Sequence, residues 1–182
     1  MENSSLTKEE LMHLLRTDVL EFNRVRPVNL DLSGANLEQL DLKHVDLSNA
    51  ILSLADLEET NLKYANFKCS DLSYANLEGA FLKYTNFKEA NLKSVTLKET
   101  IWNCANLIRA KNIIPFKKVE GRQCYAVVHN TCIMIQAGCF WGKLSEFEKA
   151  CKREYPDNPI KAYEIEIEYL RKLENFYIRK FI

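Results

Sequence analysis

Net charge is the first thing this sequence lacks: its 182 residues hold 25 Lys and Arg against 25 Asp and Glu. A chain so balanced creates no overall field to draw in nucleic acid or a strongly charged partner. It also lacks any apolar run near the ~20 residues that span a bilayer, so no membrane insertion is expected. The opening Met1-Glu2-Asn3-Ser4-Ser5 is polar and acidic where a secretory leader carries a basic segment and an apolar core. The six cysteines (Cys69, Cys104, Cys124, Cys132, Cys139, Cys151) are therefore expected to be reduced thiols of a cytoplasmic protein, not a disulfide framework.

Motifs that carry chemistry are missing too. The chain has no phosphate loop, GxGxxG turn, HExxH helix or GxSxG elbow. Catalysis gathers titratable groups in one pocket, yet His13, His44 and His129 are scattered along the chain. The nearest approach to a chemical cluster is Cys124, His129, Cys132 and Cys139, at separations of five, three and seven residues. Structural zinc sites use paired CxxC knuckles, which this spacing does not supply, so these side chains read as the core of a small hairpin. Cys139 lies beside a glycine bend without an evident base to activate it. No enzymatic activity, cofactor or metal is expected.

What the sequence does have is a period of five. Leu, Phe or Trp falls at 32, 37, 42, 47, 52, 57, 62, 67, 72, 77, 82, 87, 92, 97, 102 and 107 without a slip. Two residues earlier stands something small, such as Ala35, Ala50, Ala65 or Ala90, with Thr60, Ser70 and Thr85 as substitutes. Between the two comes a short polar residue, usually Asp or Asn. As a helix, this spacing would rotate the apolar position by ~140° at each step and smear it around the cylinder. A chain that turns a corner every five residues instead points every large residue at one inner axis. Four sides then make a coil of twenty residues, and coils stack through ladder hydrogen bonds at about 4.8 Å.

This A-(D/N)-L-x-x pattern over residues 30–109, sixteen repeats in 80 residues, resembles that of the pentapeptide-repeat family. The resemblance implies a mainly β chain: a right-handed quadrilateral β-helix of four coils, with an N-terminal helical cap and a small α+β C-terminal module. The layout is also similar to a bacterial and phage-associated subgroup with a Gly-Cys-Phe-x-Gly-like bend before two C-terminal helices, for which no activity is implied. A non-catalytic protein-interaction scaffold of unknown partner is the leading expectation. Some family members mimic duplex DNA and bind DNA gyrase or topoisomerase IV, and this is the alternative. Mimicry needs a long, strongly negative rod, whereas residues 30–109 carry 8 basic and 11 acidic side chains and turn Lys63, Lys68, Lys83 and Lys88 outward. A structural protein without a stable partner is the third reading.

Residues twenty apart become vertical neighbours in such a coil. Phe67 and Phe87 are expected to stack inside, and Asp46, Asn66, Asn86 and Asn106 to form an amide ladder. Glu38, Glu58 and Glu78 form an acidic outer stripe, and Lys43, Lys63 and Lys83 a basic one. One face departs from the polar rule, with Phe81 and Ile101 in the Asp/Asn slot and His44, Tyr64 and Tyr84 nearby. Apolar residues gathered on one side of a solenoid mark a contact. Its occupant is the chain's own C-terminal segment, a second copy in a homodimer, or a foreign protein.

Three parts follow: 1–29, 30–112 and 113–182. Thr7-Lys8-Glu9-Glu10 is a capping box, and Leu11, Leu14, Leu15, Val19 and Phe22 trace one helical stripe, so a single helix is expected over 6–24, ended by Pro27 and covering the first coil. Pro115 closes the repeats. Residues 113–182 hold 12 basic and 9 acidic residues, complementary to the repeat block, which fits docking against its side. Two strands are expected at Cys124–His129 and Cys132–Gln136, then an aromatic bend over Gly138–Gly142, a helix from Ser145 to about Glu154, and another from Asn158 towards Ile182. Ile165–Glu168 alternates like a strand but also fits a helical face with Tyr169, Leu173 and Phe176.

Overall fold

The computed structural model describes residues 6–101, 105–107, 109–119, 122–128, 132–137, 140–154 and 168–175. Its centre is a coil that repeats every twenty residues, shown by parallel bridges that run from Asp31↔Ile51 to Asn91↔Lys111. Each bridge uses two backbone bonds. Leu32 N donates to Ile51 O at 2.8 Å, and Ile51 N donates back to Leu30 O at 2.8 Å. The same exchange recurs at Asp56, Asn61 and Asn66, so the ladder satisfies the buried peptide groups that a lone extended segment would leave open.

Every fifth residue the chain turns a corner. Ala35 N donates to Leu32 O at 3.0 Å across such a turn, and the residue before the small one has positive φ: 58° at Gln39, 59° at His44, 62° at Tyr64. This is the hydrogen bond and the left-handed third position of a type II turn. The large residues Leu32 to Leu97 point inward and are fully buried, with the alanines filling the corners beside them. Phe67 and Phe87 stack with centroids 5.2 Å apart and planes 4° from parallel, as the column rule predicts. Thr60 and Thr85 replace alanine without leaving a hydroxyl stranded, since each donates to a carbonyl of the coil below (Leu37 at 2.9 Å, Leu62 at 2.8 Å). The expected amide ladder is also present: Asn66 Nδ2 donates to Asp46 Oδ1 at 2.9 Å, Asn86 to Asn66 at 2.9 Å and Asn106 to Asn86 at 3.1 Å.

The N-terminal segment corrects the expectation of one helix. It forms α1 (Lys8–Thr17) and α2 (Val19–Val25), broken at Asp18. Asp18 leaves the helical conformation (φ −152°) and its carboxylate accepts from Glu21 N at 2.9 Å, starting a second helix where the apolar stripe alone suggested continuity. The capping box at Thr7 and Glu10 forms as read. Arg26 is extended (φ −57°, ψ 140°), the conformation forced on a residue that precedes proline. Leu11, Leu15 and Phe22 belong to the same buried cluster as Leu32 and Leu42, so the helices and the coil share one core.

After the repeats come β1 (Ile113–Val119), β2 (Arg122–Val128), β3 (Ile133–Ala137) and β4 (Phe140–Lys143), an antiparallel sheet in that spatial order. Pro115 therefore does not close the repeats but lies within β1, an edge strand whose outer side needs no N–H. The predicted aromatic bend is in part strand β4, and α3 (Leu144–Glu154) follows as expected, with Lys143 N held by Glu146 at 2.8 Å. Residues 168–175 are helical; the proposed helix start at Asn158 and the Ile165 alternation lie outside the described residues. The sheet joins the coil at its end: Ser94 N donates to Val128 O at 3.1 Å, and Asn112 Nδ2 to Asn91 Oδ1 at 2.7 Å.

Candidate protein-interaction face

The four sides of the coil begin at residues 31, 36, 41 and 46, and the bridges carry the third side up through Asn61, Phe81 and Ile101. The slot between small and large residues faces outward, which is why Asp or Asn suits it: the side-chain oxygen accepts the N–H two residues on, as Asp46 does from Ser48 at 3.0 Å. Phe81 and Ile101 cannot make that bond and instead present 38% and 43% of their surface to solvent.

His44, Tyr64 and Tyr84 form one column at the corner between the third and fourth sides. His44 stacks on Tyr64 at 4.9 Å with planes 3° apart, and Tyr64 on Tyr84 at 5.1 Å and 14°. Because the rings cover one another's faces, their edges point outward, and Tyr64 and Tyr84 remain 51% and 44% exposed. Lys63 Nζ sits 5.4 Å from the Phe81 ring and Lys83 Nζ 5.2 Å from that of Tyr84, within cation–π range. The structure thus places all five sequence-nominated residues on one side or its adjoining corner. The described part of the C-terminal segment meets the coil at Ser94, and the exposure of Phe81 and Tyr64 shows that it leaves this side open.

A second apolar strip was overlooked. Ile51, Leu54 and Tyr74 are exposed on the first side and its corner, opposite the third. Its signal was available, because Ile51 breaks the Asp/Asn slot in the same way as Phe81.

Neighbouring sides carry opposite charge. Along the second side lie Glu38, Glu58 and Glu78, with Glu59 and Glu99 at its corner with the third; Asn76 Nδ2 reaches Glu58 at 2.9 Å and Gln39 Nε2 reaches Glu59 at 3.1 Å. Lys98 ends that stripe, and its ammonium is held charged above its ordinary range by the 2.5 Å hydrogen bond to Glu78 and that carboxylate's charge. Along the third side lie Lys43, Lys63 and Lys83; Lys43 also pairs with Asp41 at 3.3 Å. Further round, Glu89 is held below the usual carboxylate range by the hydrogen bond from the Cys69 thiol and by the charges of Lys88, Arg109 and Lys68.

A groove of about 730 Å³ lies along α1 and α2, lined by Leu6, Leu14 and Val25 with His13 and three glutamates. Of its glutamates, Glu10 is committed to the Thr7 cap and Glu21 to Arg24. Among the described residues no His, Cys, Asp and Glu side chains gather as a metal site; His129, Cys139 and the side chain of Cys124, three of the sequence-nominated quartet, lie outside what is described. No described helix is long and apolar enough to cross a membrane.

A core closed to solvent, wound by parallel bridges that repeat every twenty residues, defines a β-solenoid. The family described as Pentapeptide repeats (8 copies) matches residues 41–73 and 70–101. Residues 41–101 carry the repeats of the pentapeptide-repeat family, whose members fold as right-handed quadrilateral β-helices. Among solved structures it is similar to a pentapeptide-repeat protein from the Arabidopsis thaliana thylakoid lumen, at 25% identity over 53% of this chain and 74% of the other, with a TM-score of 0.35. It is also similar to Rfr23 from the cyanobacterium Cyanothece 51142, at 39% identity over 48% of this chain and 65% of that one (TM-score 0.30). QnrB1, a plasmid-mediated fluoroquinolone resistance protein, matches at 18% identity over 44% and 59% of the two chains (TM-score 0.26). No curated protein sequence matches.

Proposed function

We propose that this protein is a non-catalytic protein-interaction scaffold that docks a protein on its third side, through Phe81, Ile101, Tyr64 and Tyr84, with His44 extending the aromatic column. The observation that carries this reading is the replacement of Asp or Asn by exposed Phe81 and Ile101, next to a stacked aromatic corner. An outward apolar side chain in a slot that otherwise helps the backbone bond gives up local stability, and a contact recovers it. In this reading the solenoid is four coils long, closed by α1 and α2, and works in the cytoplasm of a bacterium.

The test is affinity capture from host lysate with the wild type and a Phe81→Glu, Ile101→Glu variant. A protein retained by the wild type and lost by the folded variant is the expected result. Equal capture by both removes the third side as the docking surface. DNA mimicry has less behind it, because Lys43, Lys63 and Lys83 line this side and break the continuous negative surface that a duplex mimic needs. Inhibition of DNA supercoiling by added protein would revive it.

A further inference from the structure

We infer that the third side takes an acidic protein segment, one that seats a large apolar side chain on Phe81 and Ile101 and sets carboxylates against Lys63 and Lys83. This rests on the reading of that side as a docking surface and names the chemistry of its partner. Zero net charge hides a sided distribution. Over residues 31–111, with each side counted together with the corner that follows it, the first and second sides hold 8 acidic and 3 basic side chains. The third and fourth hold 3 acidic and 6 basic. The exposed Phe81 and Ile101 therefore lie on the basic half of the solenoid, where a carboxylate is drawn in and a cation is repelled.

The charges nearest the apolar pair narrow the choice. Lys43 is paired with Asp41, whereas Lys63 leans from the coil below towards the Phe81 ring and Lys83 towards that of Tyr84. A ring attracts an ammonium without using its N–H donors, so each of these two lysines is steadied and can still bind an anion. Lys43, Lys63 and Lys83 also stand one above another at the ~4.8 Å spacing of the ladder, and their like charges oppose one another until an anion lies across them. At the opposite corner Glu59 takes the Gln39 amide and Glu99 lies 3.7 Å from Lys98. The positive edge is thus the one beside Tyr64 and Tyr84, and the partner's carboxylates point that way. A single-stranded nucleic acid would meet the same lysines, but it holds to such a surface by stacking bases on open rings. Here His44 and Tyr84 cover both faces of Tyr64. The rings offer edges, on which an aliphatic or aromatic side chain packs and a base does not stack.

Peptide selection tests this. A phage-displayed library of short random peptides is panned on the immobilised full chain at roughly 50 mM salt. The expected yield is peptides rich in Asp and Glu around a Leu, Ile, Phe or Trp. A recovered peptide, labelled and followed by fluorescence anisotropy, should bind the wild type at least about tenfold more tightly than a Lys63→Glu, Lys83→Glu variant, and should weaken at roughly 500 mM salt. Lys93→Glu, on the first side, should bind it as the wild type does. The same peptide with lysine in place of its acids should ignore the wild type and bind the double variant, which separates a charge contact from damage to the fold. Circular dichroism checks each variant; should the double variant misfold, Lys63→Gln with Lys83→Gln takes its place, with a loss of about threefold or more. Neutral or basic peptides, acidic peptides indifferent to the lysine changes, or no peptide at all would each overturn the proposal. So would a labelled oligothymidylate that binds more tightly than any recovered peptide, which would make this a surface for single strands. Neutral or basic peptides that are lost on Phe81→Ala remove only the acidic partner and leave the docking side standing.

Discussion

Asp46 donates its backbone N–H to the side-chain oxygen of Asn23 at 2.7 Å. One coil higher, Asn66 N donates to the Val45 carbonyl at 2.9 Å, and above it Asn86 N to that of Ala65 at 2.9 Å. The equivalent carbonyl for Asp46 would belong to Val25, which is the last residue of α2 and not part of a coil. Asn23 replaces it, and its amide nitrogen donates in turn to the His44 carbonyl at 2.9 Å. A solenoid's first coil has no strand beneath it, and here one asparagine side chain stands in for part of the missing backbone.

Removing that substitute leaves a partly buried N–H and carbonyl to water or to nothing. Asn23→Ala is therefore expected to lower stability by about 1–3 kcal/mol. Asn23→Asp should do no better, because a carboxylate accepts from Asp46 N but cannot donate to His44 O and sits near the Asp46 carboxylate. Urea unfolding followed by circular dichroism measures both. An unchanged midpoint for Asn23→Ala would mean that water replaces the side chain without loss.

Phe67 and Phe87 stack, fully buried, in a column that begins with Leu47 and ends with Leu107. Phe67→Ala empties a fully enclosed space and should cost about 3–5 kcal/mol. Phe67→Leu returns the column to its commoner residue and should cost less than about 1.5 kcal/mol. The gap between the two variants in denaturant midpoint checks that the axis is packed, not merely apolar.

Leu54 is 68% exposed and holds a φ of 62°, a left-handed conformation that opposes its Cβ. Asparagine tolerates that region far better and already occupies the same turn position at Asn49 (φ 59°). Leu54→Asn is expected to raise stability by about 0.5–1 kcal/mol, visible as a higher melting temperature. A fall would show that Leu54 makes a contact worth more than the backbone strain.

These positions mark where the sequence was readable and where it was not. The coil, the Phe67 stack and the Asp46 ladder follow from side-chain identity at fixed spacing, so counting by five and by twenty found them. The positive φ at the described corners is hidden, because His44, Tyr64, Leu54 and Glu89 are not residues that advertise it; only Gly34, Gly79 and Asn49 hint at the turn. The break at Asp18 was missed because an apolar stripe runs across both helices, while the cap that separates them is a single side-chain bond. Strand β1 was missed because Pro115 reads as a terminator, and its edge position, which makes proline tolerable, is a property of the sheet. The third side was legible as a departure from the Asp/Asn rule, whereas the opposite strip at Ile51 was overlooked despite the same signal.

Asp46 carries a pH dependence whose sign can be worked out. Its burial pushes the carboxyl up, but hydrogen bonds from the Ser48 hydroxyl and N–H, with the Arg26 charge and its hydrogen bond at 3.2 Å, outweigh that and hold it below the usual range. A carboxyl depressed in the folded state adds stability that is fully present above its unfolded value, about 3.9, and fades as pH falls through the folded value. Asp46→Asn keeps an oxygen for Ser48 N and for Asn66 Nδ2, and is the residue that the column uses at 66, 86 and 106. What it loses is the charge facing Arg26. The variant should therefore be slightly less stable than wild type near about pH 7, by under about 1 kcal/mol because the carboxylate is 39% exposed and screened. That deficit should shrink as pH falls below about 3.9 and vanish or reverse once the folded wild-type carboxyl is protonated. The other carboxylates titrate alike in both proteins, so the difference between their urea midpoints isolates this one group. A deficit that stays constant down to acid pH would show that the Arg26 contact contributes through geometry and not through charge.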